Sequence, residues 1–241
     1  MAFPTPIGSA PGDRNGVEAQ RGFTLIELAI VLVIIGLIIA GVLKGQELIT
    51  SARIKGTITE AASFSAAVRT FTDKYAALPG DYANANTRIG GPSGLPLTDG
   101  NGDGVIDGDG VGGAVGDETL HFWAHLAASN MISGVSPVGG ATFGDGLPSA
   151  AIAGGYTIRN EAAVGKTTHW MTLGSAAVTP TGVVDSEQAE IIDSKADDGR
   201  PGTGSIRTVT DACTDVAVPP VLATSNWNAT LTSGCVVKFE L

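Results

Sequence analysis

Histidine, cysteine and basic residues are scarce in this chain, and so are the catalytic signatures that depend on them. Three histidines and two cysteines serve 241 residues. No HExxH, GxSxG or glycine-rich phosphate loop occurs, and no Ser/His/Asp spacing points to an activated nucleophile. The spacing of Cys213 and Cys235 fits no metal motif. Both lie beyond the one long apolar run, so in an exported domain they read as a disulfide or, failing that, as two buried free thiols. No internal repeat is visible. Bases are outnumbered in the C-terminal two thirds: net charge is −10, and residues 79–241 hold 18 acids against 7 bases. Such a domain repels nucleic acid and anionic lipid and attracts divalent cations, so no direct nucleic-acid binding is expected.

What is present is concentrated near the N-terminus. Residues 28–43 are uninterrupted apolar or glycine residues, and a lone carboxylate, Glu27, stands directly before them. An acid this close to hydrocarbon costs a few kcal/mol and is retained mainly where a partner neutralises it. No cation in the adjacent sequence fits that role. The best candidate is the free amine that cleavage after Gly22 would create on another copy.

The run Gly22-Phe23-Thr24-Leu25-Ile26-Glu27 resembles the processing and assembly signal of type IV prepilins and of the related pseudopilins of type II secretion. The resemblance implies that a membrane-embedded aspartic peptidase cuts after Gly22 and methylates Phe23. It also implies that Glu27 pairs with the N-terminus of a neighbouring subunit. The bland alternative is a generic signal anchor that contains the same six residues. Residues 1–22 are Pro-, Gly- and Ala-rich without an apolar core and read as a leader. Arg14 and Arg21 precede the span and favour a cytoplasmic N-terminus, although Asp13 and Glu18 offset them.

The expected organisation is a leader (1–22), a transmembrane and assembly segment (23–43), the amphipathic half of the same helix (44–78), and an exported head (79–241). Ala61, Phe64, Val68, Phe71, Tyr75 and Leu78 recur at helical intervals as a core-facing stripe, which Pro79 and Gly80 end. Gly36, Gly41 and Gly45 read either as sites of local weakening and close helix approach, with Gly36 and Gly41 as hinge candidates, or as small residues tolerated in any membrane helix. Residues 80–116, rich in Gly, Asp, Asn and Pro, predict a long loop with few apolar anchors and no helix before its acidic part. A helix is predicted at 117–131 and another at 186–195. Strands are predicted at 155–159, 168–173, 205–210 and 236–241. The fold class is α+β and pilin-like: a long N-terminal helix packed on an antiparallel sheet.

The second chemical signal is Asp99-Gly-Asn101-Gly-Asp103-Gly104-Val105-Ile106-Asp107-Gly-Asp109. Side-chain oxygens at positions 1, 3, 5 and 9, a glycine at 6 and a backbone carbonyl at 7 follow the start of an EF-hand-type calcium loop. The candidate ligands are Asp99, Asn101, Asp103, the Val105 carbonyl, Asp107 and Asp109, with Ile106 anchoring the loop. Position 12 is Gly110 rather than glutamate, so a further ligand must come from elsewhere, with Asp109, Asp117 and Glu118 as candidates. Without a cation, repulsion among these acids is expected to leave the loop disordered.

His121 and His125 have the i, i+4 spacing of a zinc pair, but no third ligand is apparent, and a packed or solvated helix face is the default. Asp197-Asp198-Gly199 either lends a carboxylate to the calcium loop or forms a turn of its own. Trp123, Trp170 and Trp227 read as packing aromatics. Residues 78–82, Glu118 with 121–126, and 192–201 loosely resemble a large-headed, minor-type subset of prepilin-like proteins.

The resulting expectation is a non-enzymatic filament subunit, anchored in the bacterial inner membrane with its head in the periplasm and bathed in membrane lipid before assembly. Its partners would be other pilin or pseudopilin subunits, the prepilin peptidase and the inner-membrane assembly machinery, and calcium would stabilise its head. The rival is a membrane-tethered, calcium-dependent binding module or hydrolase that never polymerises.

Overall fold

The structure, a computed structural model, describes residues 23–90, 94–108, 117–163, 166–208, 213–215, 225–228 and 234–241. The chain divides after Gln46 into two compact units. In the first, the described residues 23–46 belong almost entirely to the opening stretch of helix α1 (Leu25–Tyr75). Its large apolar side chains are exposed, from Leu25 to Leu43. The helix is long and apolar enough to cross a membrane.

The second unit, 47–241, carries the core. The part of α1 within it buries Ile54, Thr57, Ala61, Phe64, Ala67, Val68 and Phe71 at three- and four-residue spacing. Phe64 meets Trp123 and Tyr156 edge-on, with ring centroids 5.2 and 5.3 Å apart. The Tyr156 hydroxyl donates to the Thr57 carbonyl and to Glu60, fastening the sheet to the helix. The helix ends at Tyr75, earlier than Pro79 alone would dictate, because Ala76 adopts a left-handed conformation (φ 53°). Tyr75 and Leu78, expected on the buried stripe, are consequently half-buried.

After α1 the chain does not run as an anchorless loop. A π-helical turn, Asn86–Gly90, forms where no helix was expected. Tyr82, Ala85, Ile89, Leu97 and Ile106 are all buried. Short apolar residues scattered among glycines carry no periodic signal, yet each reaches the core. Helix α2 (Glu118–Ala128) follows, capped by Asp117. It stops short of the predicted Met131 because Asn130 is left-handed (φ 57°). The amides of Asn130 and Met131 then return to the carbonyls of Ala127 and Leu126, the paired bonds of a Schellman ending.

Strands β1 (Gly155–Ala163), β2 (Lys166–Gly174), β3 (Ile206–Thr208) and β4 (Val237–Glu240) form an antiparallel sheet in the order β1-β2-β4-β3. Tyr156 pairs with Leu173, and Met171 with Phe239. The α+β, pilin-like architecture is therefore the one expected. β1 runs past its predicted end through polar Asn160 and Glu161, since pairing with β2 satisfies that backbone whatever the side chains are. Helix α3 (Ser186–Ala196) precedes β3 and opens with a reciprocal capping box between Asp185 and Gln188.

Cys213 and Cys235 are bonded, with Cα atoms 5.4 Å apart. The bridge holds the entry to β4, whose Cys235 amide also donates to the Val184 carbonyl. Replacing both cysteines with serine is expected to cost roughly 3 kcal/mol. For a domain of this size that is a melting-temperature drop of about 6–12 °C. Thermal unfolding of the oxidised head and the double variant, side by side, reads this directly. Equal midpoints would show that the bridge is dispensable.

Candidate functional site

The N-terminal determinants lie in the first unit. Gly22 is outside the described residues, and Phe23 is exposed. Glu27 is not without local company. One carboxylate oxygen accepts hydrogen bonds from the Thr24 amide (2.8 Å) and hydroxyl (2.9 Å), while the Glu27 amide donates to the Thr24 hydroxyl. This is a capping box closing the start of α1. Both donors are neutral, so this box satisfies hydrogen bonds of Glu27 without supplying a neutralising charge.

The acidic loop lies in the second unit. Its amides converge on two buried carboxylates contributed from outside it. Asp81 accepts from Gly102 (2.6 Å), Asp103 (3.0 Å) and Gly104 (2.9 Å). Glu118 accepts from Asn101 (2.8 Å) and Asp107 (3.2 Å), and its own amide returns to the Asp107 carbonyl. Gly80, at φ +86°, lets the chain pass α2 so closely that a Cβ would stand 2.5 Å from the Glu118 carbonyl oxygen. Burial raises the pKa of Glu118, and the charges of Asp81 and Asp103 add to that, against the lowering effect of the two amides it receives.

The predicted ligands fare differently. Asp99 accepts from the Asn86 amide (2.7 Å), and Asn101 and Asp103 form successive side-chain-to-backbone turns with Asp103 and Val105. Ile106 is buried, as an anchor should be. Asp109 lies outside the described residues. Glu118 is committed to loop amides, and Asp117 accepts from Thr119 at the start of α2. The view that only a cation orders this loop is therefore revised: Asp81 and Glu118 supply order from the amide side. Sequence reading missed Asp81 in this role, since nothing local sets it apart from a solvated acid.

Two imidazoles serve the same region. His125, fully buried, accepts the Gly80 amide at Nδ1 (2.9 Å) and donates from Nε2 to the Thr98 carbonyl (2.9 Å). With both nitrogens engaged it is unsuited to a zinc pair with His121, whose ring stacks 6.5 Å away. His169, which reads as an ordinary strand residue, accepts the Ile106 amide at Nε2 (3.1 Å).

Burial lowers the pKa of His125 from 6.5 to about 4. Above 6.5 the imidazole is neutral in both folded and unfolded chains, and its bonds contribute fully. As pH falls below 6.5 the unfolded chain gains a proton that the folded chain refuses until about 4. Stability is lost across that window, by about 2 kcal/mol at pH 5. Urea unfolding at neutral and mildly acid pH should show a smaller drop for His125→Gln than for the unsubstituted head. Identical drops would remove His125 from the account.

Among the described residues, three carboxylates gather closely enough to hold a metal ion in one place: Asp193, Asp197 and Asp198, with oxygens within 4.8 Å of one another. Each also serves local structure. Asp193 accepts from Trp227 Nε1 (2.9 Å) and from the Gly199 amide. Asp197 accepts from Ile206, and Asp198 from Arg200, so this segment builds its own turn. Burial raises Asp193 to about 6, helped by the charges of Asp198 and Asp197 and opposed by its hydrogen bonds.

A pilin-like α+β head following an exposed apolar helix defines the class, and that apolar N-terminal helix fits a membrane-anchored, single-pass protein. The family model of the prokaryotic N-terminal methylation motif matches residues 19–43, and this match supports the prepilin-type family. Such a motif implies processing by prepilin peptidase and assembly with other pilin subunits, and it is typical of structural subunits rather than enzymes. No curated protein and no solved structure matches the chain.

Proposed function

We propose that this protein is a non-enzymatic structural subunit of a type IV pilus or a type II secretion pseudopilus. The observation that carries the reading is the methylation motif at 19–43 running directly into a helix whose large apolar side chains are exposed. The chain is inserted in the inner membrane with its head in the periplasm and cut between Gly22 and Phe23. Assembly machinery then draws its apolar segment, 23–43, from lipid into a filament core. There Glu27 meets the Phe23 amine of an adjacent copy. Residues 44–78 and 79–241 form the exported part, and the size of that head favours a minor subunit.

Calcium at Asp99, Asn101, Asp103, the Val105 carbonyl, Asp107 and Asp109 completes the reading. The five loop amides that Asp81 and Glu118 accept support it by fixing the backbone that carries these oxygens. A tethered monomer would have no need of Glu27, so mutating it separates the two classes of function. For the metal, chelation is expected to lower the melting temperature of a soluble head, 47–241. A ligand at about a hundred times its dissociation constant contributes roughly 2.7 kcal/mol. A midpoint indifferent to chelator and to added calcium removes the metal from the reading.

A further inference from the structure

Within the second unit a cleft of about 540 Å³ is lined by α1, by the segment after α2 and by residues shortly before β1. Its volume is that of pockets which hold small organic ligands. The apolar part of its wall includes Phe64 and Pro148, both buried. Beside them stand Glu60, Asn130, Ser133 and Ser149. The side chains of Asn130, Ser133 and Ser149 make no hydrogen bond among the described residues, and all three residues are exposed. Glu60 is the one ionisable group on the described wall. It is half-buried and has no ion-pair partner among the described residues, where the pairs are Lys166–Glu240 and Lys238–Glu161. Its Oε2 atom accepts from the Tyr156 hydroxyl (3.1 Å) and the Ala151 amide (3.0 Å). Those bonds hold the carboxylate in place and leave Oε1 without a partner there.

A carboxylate partly withdrawn from water and lacking a counter-charge favours a cation beside it. The field of residues 79–241, with 18 acids against 7 bases, works in the same direction and repels an anion. Serine hydroxyls and the asparagine carbonyl can accept the several N–H donors of an ammonium, and an apolar wall suits a methylene stem. A neutral sugar would leave the charge unanswered. We propose that this cleft binds a primary ammonium group carried on a short apolar stem, the chemistry of a lysine side chain in a peptide or of a free aliphatic diamine. Glu60 Oε1 takes the charge, while Asn130, Ser133 and Ser149 share the remaining donors. The stem lies against Phe64 and Pro148. Such a site gives the head a recognition role beyond that of a structural subunit, and it depends neither on Glu27 nor on calcium.

The test titrates the isotope-labelled full chain in detergent with Nα-acetyl-lysine amide, with diaminobutane and with the uncharged Nα-acetyl-norleucine amide. The two ammonium probes are expected to shift the amides of residues 130–134 and 149 saturably, in the roughly millimolar range of so small a ligand. The norleucine probe should not. Tighter binding of the lysine probe identifies a peptide as the source of the group, and tighter binding of the diamine a free amine. Glu60→Gln should weaken both on the order of tenfold. Ser133→Trp fills the cleft from its exposed rim without touching the Glu60 bonds, and should abolish binding even if the glutamine variant fails to fold. Formation of the Cys213–Cys235 bridge and an otherwise unchanged spectrum report that each variant is folded. Shifts scattered over the acidic surface without saturation, or an equal response to norleucine, overturn the site. So does undiminished binding by folded Glu60→Gln or Ser133→Trp.

Discussion

Glu27→Ala is expected to leave synthesis and processing intact and to remove the chain from filaments. Outside a filament the alanine variant loses only its bonds to the Thr24 amide and hydroxyl, a cost of about 1 kcal/mol at a helix N-terminus. Inside one, the Phe23 amine of each neighbour would be left as an uncompensated charge in an apolar core. Breaking a buried pair in that way costs about 3–5 kcal/mol, or on the order of 10²- to 10³-fold in incorporation. Immunoblots of sheared filaments and of membranes, with mass determination of the mature N-terminus, give both halves of the result. Glu27→Gln separates charge from hydrogen bonding, because glutamine can still accept from Thr24. Normal assembly of the glutamine variant would defeat the electrostatic explanation.

The second large effect is expected at Asp81. Its carboxylate accepts three loop amides while only 3 % exposed. Asparagine fills the same space but turns an NH₂ group toward backbone donors, so at least one amide loses its acceptor and faces another donor. Leaving such an amide unsatisfied costs about 1–3 kcal/mol. Urea midpoints of the head should fall accordingly, and the amides of Gly102, Asp103 and Gly104 should lose their protection from hydrogen exchange. Glu118→Gln, with two amides at stake, should do less. Unchanged protection across residues 102–104 in Asp81→Asn would show that Asp81 does not organise the loop.

Local pattern carried much of this structure into view. The buried stripe of α1, the Asp117-capped helix and the β-branched and aromatic strands are short-range features, and each appears close to its predicted place. What sequence left hidden depends on distant partners. Asp81 precedes the first amide it receives by 21 residues, and Glu118 follows Asp107 by 11. Acids so placed read as solvated surface until the fold shows amides pointing at them. His169 reads as a solitary strand residue because nothing local reveals that the Ile106 amide lacks another acceptor. Strand order is equally silent in periodicity, so the last strand, β4, gave no sign that it sits between β2 and β3. Thr24 differs from these, because a threonine three residues before a glutamate, opening an apolar helix, is a local capping signature legible in its own right.

The capping box at the head of α1 bears on any pairing of Glu27 with a second copy. The carboxylate is already folded back onto its own first turn, held by the Thr24 amide and hydroxyl. On the filament reading, a joining subunit would trade those neutral donors for an ionic one, so the net gain at the joint would be the strength of the new pair less that of the old bonds.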